Sequence, residues 1–212
     1  MDTRLLLISR AATPAQRAGR FPADDPLDAR GRAEAEAARA RLALPTDAIA
    51  FVSPAVCARE TAAALGLVAA SVDALADMNY GDWRGRRLAE IVAEAPRELA
   101  AWTREPDAAP PSGESFSQLV RRVGTWLDTA ELNDTASNAA NEESGQSEAK
   151  PDTSTHVRTI VAVTHAPLLR AAIVYALGAS PAVFSRIEIA PLSVVELRRS
   201  RRGWTWWPAA IV

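Results

Sequence analysis

Three short apolar runs constrain this chain most: Leu5-Leu6-Leu7-Ile8, Ala48-Ile49-Ala50-Phe51-Val52 and Thr159-Ile160-Val161-Ala162-Val163. None alternates polar with apolar residues, so none suits a strand with one face in water. Each reads as a strand buried on both faces, and each is followed by a polar residue, Ser9, Ser53 or Thr164. Such strands need helices on both sides of their sheet. The chain supplies helical segments between them. Ala29 to Leu42 is an Ala/Arg/Glu stretch stopped by Pro45, and a second helix runs from Ser53-Pro54 to about Leu65. There Ser53 is expected as N-cap and Pro54 at the first helical position. Arg87 to Thr103 reads as helix broken near Pro96. Glu114 to Ala130 carries Phe116, Leu119, Val120, Val123 and Leu127 at helical spacing, and Pro167 to Leu177 follows the late strand. The loop from Arg10 to about Asp28 is expected to be irregular. Further strands are expected at Val68 to Leu75, at Ile187 to Ile189, and in a terminal hairpin of Ser193 to Leu197 with Gly203 to Trp207. The expected class is α/β with a mostly parallel central sheet.

The 212 residues, 48% of them hydrophobic, are enough for one sizeable core, so residues 1–212 read as a single domain. Glu131 to His156 is almost free of large apolar side chains and cannot offset its ordering entropy. Residues 131–156 are therefore expected to be a disordered insertion within that domain. It does not divide two domains, because the strand and helix after it still need a sheet to join. A net charge of −2 argues against a nucleic-acid partner held by phosphate neutralisation. The single cysteine, Cys57, excludes an internal disulfide and suits a reducing compartment. No apolar stretch approaches a leader or a span, so a cytoplasmic protein without a membrane partner is expected. Two histidines exclude a His-rich metal site, the acids show no ligand spacing, and neither metal nor cofactor is called for.

In a parallel α/β sheet, ligands bind beyond the carboxyl ends of the strands. Ser9-Arg10, Ser53-Pro54 and Thr164-His165 stand at those ends. Arg10 supplies a charged fork and His165 a further donor, a pair suited to a phosphoryl group. The N-terminus of the helix at Pro54 is expected to add backbone donors if it faces the same crevice.

Six segments in order extend this reading. Leu5 to Thr13 resembles the opening strand and Arg-His-Gly-Glu-Thr signature of the histidine phosphatase superfamily, the phosphoglycerate mutase-like proteins. Arg17 to Phe21, with Pro26-Leu27-Asp28 and Gly31, is similar to the stretch just after that signature. Ser53-Pro54, Ala58 and Glu60-Thr61-Ala62 resemble the helix after the second strand. Asp77 to Gly85 resembles the acidic and Gly-x-Trp-x-Gly segment, and Ser112 to Ser115 the Gly-Gly-Glu-Ser helix entry. Val163-Thr164-His165, with Arg170 beyond, resembles the segment of the second histidine. The resemblance implies a three-layer α/β/α fold and a phosphohistidine mechanism. In that mechanism the first histidine attacks phosphorus, two arginines and the second histidine clamp the oxygens, and an acid protonates the leaving group.

Carried over residue by residue, the pattern is incomplete. An alignment fixed on Thr13 puts Ser9 at the signature arginine and Arg10 at the nucleophilic histidine. Sliding by one puts Arg10 at the arginine and Ala11 at the histidine. Neither supplies a nucleophile, since no histidine precedes residue 156. Cys57 falls at the second clamp arginine, Asp77 replaces a glutamate, and His165 alone is unchanged. The catalytic-position residues are thus His165 and Asp77. The expected substrate-binding residues are Ser9, Arg10, Thr13, Gln16, Arg20 and Ser115, around a phosphorylated small molecule, a phosphorylated partner or phosphate itself. Losing a nucleophile costs on the order of 10⁶ in rate, so little or no phosphohistidine turnover is expected. One alternative is a working phosphomonoester hydrolase rearranged around His165, as nucleophile or base, and Arg10. Another is a non-catalytic interaction module that uses the acidic 131–156 segment or the tryptophan edge.

Overall fold

A computed structural model of the protein describes residues 3–129 and 157–208. The insertion expected at 131–156 lies outside the described residues. Strands β1 (Thr3–Ser9), β2 (Ile49–Val52), β3 (Ala70–Ser71), β4 (Arg158–Thr164), β5 (Val194–Ser200) and β6 (Gly203–Trp207) form one six-stranded sheet. Its order is β3-β2-β4-β1-β5-β6. The first four strands run parallel; β5 and β6 close one side antiparallel.

Period-two side-chain alternation along the central strands divides the core between two helical layers. Leu5, Leu7, Ile160, Ala162 and Leu197 face one cluster, while Leu6, Ile8, Val161, Val163 and Val52 face the other. Helices α6 (Phe116–Leu127) and α7 (Ala166–Ala176) cover the first face. Helices α2 (Ala29–Leu42) and α3 (Val56–Ala64) cover the second. Full burial of each large side chain contributes about 1.5–3 kcal/mol, which is why strands without a polar face are stable here. Helix α2 starts at Asp28, whose carboxylate accepts from Gly31 N at 2.8 Å, and α6 starts on a capping box of Ser115 and Gln118. Helices α4 (Leu88–Glu94) and α5 (Pro96–Arg104) divide at Pro96, as expected.

Several expected elements differ. A short helix α1 (Pro14–Arg17) interrupts the first loop because Thr13 caps it and Pro14 presets its first dihedral. The strand expected from Val68 to Leu75 shrinks to Ala70–Ser71 on the sheet edge. Val68 is exposed, and Asp73–Leu75 forms a 3₁₀ turn. Ile187 to Ile189 forms no strand; it follows the 3₁₀ segment Pro181–Arg186 and packs on the α6/α7 cluster. Helix α3 begins at Val56 with Ala55 as N-cap, so Ser53 and Pro54 precede it. The amphipathic helix ends at Leu127, before Ala130, which is not among the described residues.

The loop carrying Asp77 and Tyr80 is pressed against the 110–115 turn. Asp82 N donates to Pro111 O at 2.9 Å and Glu114 N to Asn79 O at 2.7 Å. Gly81 has φ +48, and a Cβ there would meet Pro111 O and come within 2.6 Å of Gly113 N, both backbone atoms. A left-handed alanine and an unrelieved backbone clash add in the same direction. Gly81→Ala is expected to lower unfolding free energy by about 2–4 kcal/mol, measured by urea denaturation at unchanged m-value.

Candidate functional site

Parallel strands place their carboxyl ends on one edge, and the register aligns three of them. Ser9 pairs with Thr164, so Arg10 and His165 emerge side by side, with Arg10 N donating to Thr164 O at 2.7 Å. Ser53 N donates to Val163 O at 2.9 Å, which brings Ser53 to the same edge. Ala11, by contrast, is fully buried in the α2/α3 cluster, and its N–H donates to Thr61 Oγ1 at 3.1 Å. Thr61 in turn donates to Cys57 O within α3 at 2.7 Å, so the bond from Ala11 ties α3 to the Arg10 loop.

His165 is 2% exposed and sits at the N-cap position of α7 without capping it. Its Nε2 is 3.0 Å from Ser53 Oγ. Its Nδ1 lies 3.1 Å from Asp77 Oδ2, at ion-pair distance though off the line of a hydrogen bond. The serine expected to cap α3 therefore holds the imidazole. Two contacts bring Asp77 there: Thr164 Oγ1 donates to Leu75 O at 2.7 Å, and Arg122 staples the next turn. The Arg122 guanidinium donates to Ala74 O, Ala76 O and Asp77 O, and holds Glu114 with two contacts of 3.0 Å. Neither Ser53 as a histidine partner nor Arg122 was expected from sequence. Arg122 is 45 positions from Asp77, and no local spacing reports such a contact.

Arg10 is 9% exposed. Its Nη1 donates to Gln16 Oε1 at 2.6 Å and to Ala11 O at 2.9 Å, while its buried Nε has no partner. Two adjoining cavities meet at Arg10, Asp77 and His165. One, of about 360 Å³, is lined also by Thr13, Cys57 and Asp24. The other, of about 210 Å³, is lined by Ser9, Gln16, Arg20 and Arg170 beside Arg10 and His165. Arg170 Nε is likewise buried without a partner. The structure thus gathers His165, Asp77, Ser9, Arg10, Thr13, Gln16 and Arg20. Thr13 also caps α1, and Arg20 lies 3.5 Å from Asp25. Ser115 lines neither cavity: its hydroxyl accepts from Gln118 N at 3.2 Å and serves the α6 cap. The α3 N-terminus does border the larger cavity, through Pro54, Ala55 and Cys57, but one of its donors, Val56 N, is taken at 2.8 Å by Asp24, held at φ +68. The larger cavity therefore mixes carboxylates with cations, whereas the smaller one sets three arginines and His165 against Asp77.

Burial alone raises the Asp77 carboxyl, but the His165 and Arg10 charges and the Met78 N–H outweigh it and hold the group below its ordinary range. A carboxyl depressed on folding adds stability above its unfolded pKa of about 3.9 and loses it as pH falls through the lower folded value. Wild type is expected to exceed Asp77→Asn in stability at pH 7, with the gap closing below about pH 4, as read from melting curves across pH. Burial pushes the Cys57 thiol up to about 11, against a small opposing effect of Arg10. At pH 8 about one thiol in a thousand is ionised, so native Cys57 is expected to resist iodoacetamide that labels the unfolded chain.

Solved structures share this architecture. A mycobacterial hydrolase is 26% identical with a TM-score of 0.78, each chain covered over its whole length. A mycobacterial glucosyl-3-phosphoglycerate phosphatase is 26% identical over 99% of this chain and 100% of its own, with a TM-score of 0.77. The same phosphatase complexed with VO3 is 28% identical over 98% and 100%, with a TM-score of 0.75. The α-ribazole phosphatase of Shigella flexneri, 22% identical over 97% and 95% with a TM-score of 0.74, shares the fold. No curated protein sequence matches. Residues 6–207 match the model of the histidine phosphatase superfamily, branch 1, and together with the strand-end site this makes the chain a member of that superfamily.

Proposed function

We propose that this protein binds a phosphoryl anion, on a small molecule or a partner, with little or no phosphohistidine turnover. The observation that carries the reading is a pair of buried guanidinium nitrogens without partners, Arg10 Nε and Arg170 Nε, on side chains that share one cavity with His165. A buried donor left unsatisfied costs about 1–3 kcal/mol, more when charged, and the cavity that both arginine side chains line has a cationic surround suited to an anion. The VO3 complex of the mycobacterial phosphatase supports an oxyanion of this shape. Against turnover stand the side chains themselves: Arg10 follows β1, Cys57 falls where the resemblance puts the second clamp arginine, and no histidine precedes residue 156. His165 Nε2 is 3.0 Å from Ser53 Oγ, a contact that competes with a role as nucleophile at that nitrogen.

The Asp77–His165 pair favours one alternative, a phosphomonoester hydrolase in which His165 acts as a base and Arg10 as the clamp. One set of measurements separates the readings. Inorganic phosphate at a hundred times its Kd is expected to stabilise the fold by about 2.7 kcal/mol, and Arg10→Ala to abolish most of the shift. Aryl phosphate hydrolysis is expected to stay at background. Turnover that disappears in His165→Ala overturns the non-catalytic reading, and the absence of any phosphate shift overturns anion binding. Ser9→Arg, Arg10→His and Cys57→Arg made together are expected to raise turnover above that of wild type.

A further inference from the structure

We infer that the phosphoryl ligand carries a flat, apolar organic group, aryl or heteroaromatic, seated in an aromatic lobe that opens beside the anion cavity. This rests on the phosphoryl-anion reading and adds the class of ligand. The lobe has a volume of about 220 Å³ and shares Tyr80, Pro167 and Arg170 with the cationic cavity. A ligand anchored by Arg170 and Arg10 therefore lies next to residues that also wall the lobe.

The walls are aromatic. Phe116 and Phe184 stack with ring centroids 4.9 Å apart and an interplanar angle of 24°. Tyr80 and Trp102 meet edge to face at 6.3 Å and 64°. Met78 adds a polarisable thioether. Phe116 and Met78 are buried, while Tyr80, Trp102 and Phe184 keep part of their surface open. A ring entering this space gains offset or edge-to-face contacts, and the polar side chains on the same lining include Arg170, Glu188, Thr103 and Ser185, with Arg170 3.9 Å from Glu188. The volume far exceeds that of a single water, about 30 Å³, so the lobe is more than a packing defect. Burial first, and then the Asp77 charge, raise the Tyr80 hydroxyl well above its ordinary value, so it remains a neutral donor where the two lobes meet.

The test titrates the intact protein at pH 8 with inorganic phosphate, ethyl phosphate and phenyl phosphate. Phenyl phosphate is expected to bind about tenfold more tightly than ethyl phosphate, with inorganic phosphate confirming the anion lobe. Phe184→Ala is expected to bring the phenyl-to-ethyl ratio close to one and leave inorganic phosphate binding unchanged. Ser185→Trp, at an exposed position lining the lobe, removes no packing and is expected to lose the same preference by filling the space. If phosphate binds but phenyl and ethyl phosphate bind equally, the aromatic inference falls and the anion reading stands. A phenyl preference that survives both variants also overturns it. If inorganic phosphate fails to bind, the anion reading falls and takes this inference with it.

Discussion

The burial of β1 and β4 on both faces is the constraint on which the rest depends. Neither strand can lie at a surface, because Leu5 to Ile8 and Ile160 to Val163 present apolar side chains above and below the sheet. Each must be hydrogen-bonded along both edges and covered by helices on both faces. β1 meets this by pairing with β4 and β5, and β4 by pairing with β1 and β2. Pairs α2/α3 and α6/α7 then cover opposite faces, with alternate residues of the same strands packed into each.

The same pairing builds the site. Because β1, β2 and β4 run parallel in fixed register, their first residues beyond the sheet, Arg10, Ser53 and His165, converge without any loop having to fold back. Loops then add what the strands lack. The 72–80 segment, tied to Thr164 and stapled by Arg122, brings Asp77 to the imidazole, and α1 brings Gln16 to the guanidinium. Much of the buried polar bonding serves orientation, and Arg10 and Arg170, whose side chains line the cationic cavity, each keep a buried Nε without a partner, as Arg4 does elsewhere.

Local signals were legible where one segment's chemistry decided its structure. Ala29–Leu42 forms as expected because its composition and the Asp28 cap favour a helix regardless of neighbours, and Pro96 divides α4 from α5 for a backbone reason. Trp83 packs within its Gly-flanked loop, 2% exposed and against Phe21. Signals failed where a distant partner decided. Val68 to Leu75 has strand composition, but only Ala70–Ser71 finds β2 to pair with. Ser53 and Ser115 both resemble caps; one holds His165 and the other does cap its helix, because a strand end and a loop end meet different neighbours. Asp24 gave no signal, yet its carboxylate engages the helix terminus expected to meet an anion.

By itself the sequence determined the layered α/β class, the strand-end placement of Arg10 and His165, and the lack of a histidine after the first strand. These come from apolar patterning and residue identity, which act along the chain. Tertiary structure decided the rest: that Ala11 turns inward while Arg10 enters the cleft, and that His165 is held between Ser53 and Asp77. It also decided that Arg170 faces the same cavity as Arg10, with an aromatic lobe adjoining. Those are contacts between residues far apart in the chain, fixed by sheet register and helix packing, and no local spacing encodes them.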